Sequence, residues 1–202
     1  SKPYTISLHY YYNLVSFYGL PGYLDDVGNQ EISVVMDGIN GLSSIIGEGE
    51  VAQYISSLDS WVGMEFMTNS SGYWLRMSSH EPVMLEGSGH PYNVNRTYDL
   101  HVGANLISFP AEGTYNVDEV FPSYMMDPDS PIIEMIIGEG ESTYLDTSTF
   151  FDVNWMGSLT QLKGLRGYWV MANQDTSFSF NAHPENNIEN QGSSRSEVVE
   201  MP

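Results

Sequence analysis

Bulky and polar side chains alternate along residues 4–10, Tyr-Thr-Ile-Ser-Leu-His-Tyr, the period of a strand with one buried face. Tyr98, Leu100 and Val102 repeat that alternation about ninety residues later. Each stretch is followed by a second strand-like run, Asn13-Leu14-Val15-Ser16-Phe17 or Asn105-Leu106-Ile107-Ser108-Phe109, and then by Pro21 or Pro110. Proline ends a run where no further ladder donor is needed. Glu31–Met36 and Val117–Phe121 are each long enough for one or two helical turns, and Asn116 or Asp118 is placed to cap the second. Pro122, Pro128 and Pro131 predict an irregular connection after it.

The pattern continues as a repeat. Ile45-Ile46-Gly47-Glu48-Gly49-Glu50 returns unchanged as residues 136–141. Trp61-Val62-Gly63 is answered by Trp155-Met156-Gly157, and Gly72-Tyr73-Trp74 by Gly167-Tyr168-Trp169. Both blocks read as strands rich in aromatic and β-branched residues. Each half closes on an apolar alternation, Val83 and Leu85 or Phe178 and Phe180, then His90-Pro91 or His183-Pro184. A repeat of this length is a duplicated domain, not a turn of a solenoid. The expected fold is mainly β, sandwich or barrel-like, with one short helix per module. Its parts are a first module over residues 1–89, a second over 90–181, and a polar tail over 182–202 without hydrophobic period. If ordered, that tail would naturally contact another copy of the chain.

Composition narrows the function classes. The 202 residues carry six Lys and Arg against 26 Asp and Glu, a net charge of -20, so the positive footprint needed for nucleic acid is missing. Such a surface favours solubility and attracts divalent cations. There is no cysteine, and no apolar run of membrane-spanning length.

In their order, these landmarks resemble the tandem Asn-Leu-Val-Ser-Phe … Ile-Ile-Gly-Glu-Gly … Trp-Val-Gly-Ser-Leu … Gly-Tyr-Trp modules of secreted or surface multidomain proteins of bacteria, marine ones notably. The resemblance covers about residues 4–181. The first half departs from it with Met64-Glu65 where the second has Ser158-Leu159. It implies an extracellular, non-catalytic module and carries over no ligand or catalytic residue.

The candidate chemistry has plain structural alternatives. Glu48 with Glu50, and Glu139 with Glu141, are spaced to project from one face of an extended segment and could hold calcium. Otherwise Gly47 and Gly49 permit a bulge or close approach, while the glutamates stay solvated or accept bonds from loop amides. A glycosidase pair would need carboxylates converging across a cleft, and duplication argues against a single active site. Tyr73, Trp74, Tyr168 and Trp169 lie on strands, so one ring of each pair should face the core and its neighbour outward, where it could stack on sugar; Trp61 and Trp155 invite the same reading. The histidines form no metal motif and read as loop punctuation. Asn69-Ser-Ser71 and Asn95-Arg-Thr97 match the glycosylation sequon by a frequent coincidence. No catalytic constellation is visible and no cofactor beyond calcium is suggested. The expectation is a secreted or cell-surface structural or adhesion protein, its partners copies of itself or neighbouring surface modules, assembling head to tail. The alternative is a carbohydrate-binding module pair, its polysaccharide held by exposed Trp and Tyr.

Overall fold

The computed structural model describes residues 2–22, 28–89, 93–148 and 153–191. Among them the two halves run through the same series of elements. The first contains β1 Lys2–Leu8, β2 Tyr11–Ser16, β3 Asn29–Glu31, α1 Ile32–Val35, β4 Leu42–Ile46, β5 Val51–Ile55, β6 Ser60–Gly63, β7 Phe66–Thr68, β8 Gly72–Met77 and β9 Val83–Gly89. The second contains β10 Tyr98–Leu100, β11 Gly103–Ser108, β12 Thr114–Asn116, α2 Val117–Val120, β13 Ile133–Ile137, β14 Ser142–Asp146, β15 Asn154–Gly157, β16 Gln161–Lys163, β17 Gly167–Ala172 and β18 Thr176–Phe178.

Each module is built on a five-stranded antiparallel sheet, in the order β2-β8-β4-β5-β6 or β11-β17-β13-β14-β15. Two-stranded antiparallel ladders accompany it: β1-β9 and β3-β7 in the first module, β10-β18 and β12-β16 in the second. The fold is therefore mainly β with two homologous modules and one short helix in each, as the hydrophobic pattern predicts. Asn116 stands at the N-cap of α2, but its side chain makes no capping bond. A four-residue helix is instead held by the burial of Val117 and Val120.

Each half buries its own core. In the first, Tyr4, Ile6 and Leu8 of β1 meet Val15, Ile45, Tyr73 and Leu75 from the large sheet, with Ile32 and Val35 of α1. In the second, Tyr98, Leu100, Ile107, Ile136, Tyr168 and Val170 take corresponding places, joined by Phe178 and Phe180. Leu14 and Leu106 are fully buried, yet they belong to neither core. Strand alternation turns them to the opposite face from Val15 and Ile107.

The first part of the tail docks on its own chain. Pro184–Asn186 form a 3-10 turn and Ile188–Gln191 a short helix, α3. The Asn187 side chain accepts a bond from the Thr114 backbone N–H at 3.2 Å, and Thr114 donates its hydroxyl to Glu189. The remaining tail, 192–202, and His90-Pro91 lie outside the described residues.

Candidate functional site: the seam between the modules

The repeated motifs meet one another. Gly72 and Gly167 face each other where β8 approaches β17. A Cβ on Gly72 would lie 2.9 Å from Leu106 Cδ1, 3.0 Å from the Ile107 carbonyl and 3.1 Å from Gly167 Cα. One on Gly167 would lie 2.8 Å from the Val15 carbonyl and 3.1 Å from Leu14 Cδ1. Each leucine is thus buried against the other module's glycine, which explains why it joins no intramodule core. The glycines are required here for close approach.

Backbone and hydroxyl groups close the same contact. Ser16 N–H donates to the Leu165 carbonyl at 3.1 Å and Ser108 N–H to that of Ser70 at 2.9 Å. The Ser16 hydroxyl donates to the Arg166 carbonyl at 2.6 Å, and that of Ser108 to the Asn69 carbonyl at 2.7 Å. Isolated β-bridges join Val15 to Arg166 and Ser71 to Ile107. The arrangement is reciprocal, with the same surface used on both sides, as in a two-fold dimer joined into one chain.

The Gly-Glu-Gly-Glu turns complete it. Between the paired residues Gly47 and Glu50, Glu48 and Gly49 form a two-residue loop, and Gly49 takes φ +74° as Gly140 takes φ +72° in the second copy. A positive φ at that turn position favours glycine. The turn carries Glu48 into the second module: its Oε2 accepts the Leu106 N–H at 2.6 Å and its Oε1 meets His101 Nε2 at 2.5 Å. Glu139 does the same to Leu14 N–H at 2.7 Å and His9 Nε2 at 2.5 Å, with Arg166 Nη1 also 3.4 Å away. Glu50 and Glu141 remain exposed on their own modules, their stems beside Gly47 and Gly138. The members of each glutamate pair therefore diverge, and among the described residues no three His, Asp or Glu gather as a metal site.

Both histidines are placed to favour the protonated ring. Each turns Nδ1 to a backbone carbonyl, of Tyr10 or Val102, at 2.8 Å. A carbonyl and a carboxylate both accept, so the ring that donates from both nitrogens gains most here. The hydrogen bond to Glu139 accordingly raises the His9 pKa above its ordinary 6.5, helped by the Tyr10 carbonyl; Glu48 and the Val102 carbonyl do the same for His101. Asn13 and Asn105 fix the bends that present them, each accepting the histidine N–H, at 2.8 and 2.9 Å, and donating to its carbonyl at 2.9 Å.

The aromatic candidates are dispersed. Tyr73 and Tyr168 face the cores, and their hydroxyls accept the Thr68 and Lys163 backbone N–H at 2.7 and 2.8 Å. Burial pushes the Tyr73 pKa up to about 12. Trp74 and Trp169 are half-buried on the opposite face, Trp74 edge-on to Tyr12. Tyr10 and Tyr11 expose their rings, and Arg76 lies 5.6 Å over the Tyr11 ring. Trp61 pairs edge-on with Tyr54, whereas Trp155 packs against Phe121. Asn69 of the first sequon is buried at the seam.

His9 and His101 are the site residues that a motif reading passes over. Each stands four positions before the Asn of the repeated strand, and that shared spacing is the signal that could have found them.

No match was found. Family models, curated proteins and solved structures alike give no counterpart to this chain.

Proposed function

We propose that the chain is a non-catalytic structural or adhesion element of the cell exterior, in which two β-modules locked face to face act as one stiff link. The observation that carries this reading is the reciprocal seam: it commits the most faithfully repeated residues to holding the modules together. A closed, two-fold-like contact leaves no copy of that surface for further growth. Assembly into a fibre then uses other edges. Among the described residues β6 and β15 each pair on one side only, at the far margin of their sheets. They expose Val62 and Met156. Antiparallel pairing of β6 in one copy with β15 in the next is a head-to-tail contact that repeats without closing. No helix among the described residues is long and apolar enough to cross a membrane.

Sedimentation velocity over rising protein concentration tests the proposal. The parent chain should form a ladder of oligomers, and either Val62→Lys or Met156→Lys should remove it without changing the unfolding midpoint. A parent chain that stays monomeric throughout would rule out assembly by these edges.

A further inference from the structure

The two modules differ around their repeated tryptophans, and a groove stands beside the ring in one of them. In the second module twelve residues, 121–132, connect α2 to β13. They include a 3-10 turn, Ser123–Met126, whose Met125 is fully buried. Phe121 lies against Trp155 with ring centroids 6.2 Å apart, and the indole N–H of Trp155 is buried. In the first module only six residues, 36–41, connect α1 to β4, and Met36 holds the place of Phe121. Beside Trp61 this leaves a cavity of about 640 Å³ between that connection and the β5-β6 hairpin. A second hollow, of about 370 Å³, also borders Trp61, Ser33 and Asp59.

We propose that this groove binds a neutral carbohydrate chain. Its size falls within the roughly 300–1,000 Å³ of small-ligand sites. Tyr54 and Trp61 stand edge to face, centroids 5.5 Å apart, and Tyr54 donates its hydroxyl to Asp59. Trp61 also packs on the module core, which holds one side of the indole in place. Asp59 adopts a positive φ of 50° at the hairpin turn, the left-handed conformation that Asp tolerates better than most residues. Asp37 and Asn40 line the groove from the 36–41 connection, and Ser43 lines it from β4, the strand paired with β5. A sugar ring presents both surfaces this groove needs: an apolar C–H face for the indole, and hydroxyls that donate to carboxylates and exchange bonds with amide and serine. Charge selects against acidic polymers. Asp37 and Asp59 line the groove, Glu31 and Glu65 border the second hollow, and the chain carries a net charge of -20. Two hollows that share Trp61, Ser33 and Asp59 suit several linked rings rather than a monosaccharide.

This site adds a ligand to the structural reading and does not depend on it. Trp61 and Val62 point to opposite faces of β6, so variants at one leave the other surface intact. The test is calorimetric titration of the full chain with cellohexaose, maltohexaose, xylohexaose and chitohexaose, and with polygalacturonate as the acidic control. The expected result is a dissociation constant below about 1 mM for at least one neutral oligomer and none for polygalacturonate. Trp61→Ala should weaken binding at least about tenfold. Because Trp61 supports the core, Asn40→Trp provides a second variant: Asn40 is exposed, and the larger ring would fill the groove and abolish binding with the unfolding midpoint unchanged. Tyr144→Ala, which removes an exposed ring from β14 of the second module, away from the groove, should leave binding as it was. Failure of all four neutral oligomers, binding of polygalacturonate alone, or undiminished binding in both Trp61→Ala and Asn40→Trp would overturn the proposal.

Discussion

Replacing Glu139 by alanine removes the acceptor for a backbone N–H that its own sheet does not use. Leu14 is fully buried on edge strand β2, and its N–H is directed across the seam to Glu139 Oε2 at 2.7 Å. Leaving a buried donor without a partner costs about 1–3 kcal/mol. The ion pair with His9 adds little, because His9 is more than half exposed; such pairs are worth about 0–1 kcal/mol. Arg166, at 3.4 Å and half exposed, falls in the same class. The expected loss is therefore about 2 kcal/mol, dominated by the orphaned amide. Glu139→Gln keeps an oxygen for that amide and should lose about half as much. Urea denaturation at pH 6, followed by tryptophan fluorescence, measures both. Glu141→Ala is the reference: its side chain is exposed, so the change should stay within about 0.5 kcal/mol. If Glu139→Ala falls within that same range, the glutamate does not hold the modules together and the reasoning fails.

Three further outcomes follow from the same contacts. Gly72→Ala places a methyl against the Ile107 carbonyl and Gly167 Cα, backbone that cannot rotate aside, and should cost about 1–3 kcal/mol by thermal unfolding; Gly38→Ala is no fair control because Gly38 needs its positive φ, so Ser56→Ala on the exposed hairpin serves instead. Tyr168→Phe strips the acceptor from the Lys163 N–H and should cost about 1–2 kcal/mol, measurable by the same unfolding experiment. The pH dependence is set by His9 and His101, whose folded pKa values lie above the ordinary 6.5. Folding favours their protonated forms, so this stabilisation is complete below about 6.5 and is lost as pH rises through the raised values. Unfolding midpoints between about pH 5.5 and 8.5 should fall with rising pH, and that component of the slope should vanish in a His9→Asn, His101→Asn variant; an unchanged slope would exclude the two histidines as its source.

Much of the architecture is legible in local pattern because the burial that makes each strand is local. Alternation in Tyr4, Ile6 and Leu8 marks one buried face, and the same ladder of landmarks in both halves marks two modules. Gly49 and Gly140 take their positive φ in a two-residue turn, where the local sequence suggests a bulge or a close approach. The destination of Glu48 and Glu139 does not follow from their surroundings in sequence. Their partners lie 53 to 130 residues away and are reached only when two folded sheets are laid face to face. The leucines of the repeated strand are hidden for the same reason: an apolar residue out of phase with the core looks like noise until the second surface is present. Strand alternation alone sets the two rings of each Tyr-Trp pair on opposite faces; that Tyr73 and Tyr168 are the inward ones is set by the packing of the folded sheets. The separate environments of Trp61 and Trp155 depend on the unequal connections before β4 and β13, whose folded course the proline positions do not specify.

Amide hydrogen exchange at Leu14 and Leu106 tests the seam most directly, because each N–H is held by a glutamate of the opposite module. Both amides should exchange slowly in the parent chain. Glu139→Ala should release Leu14 while Leu106 stays protected, and Glu48→Ala should do the reverse. Rapid exchange at both amides in the parent chain, or protection that neither substitution alters, would contradict a structure in which the repeated motifs exist to join the two modules.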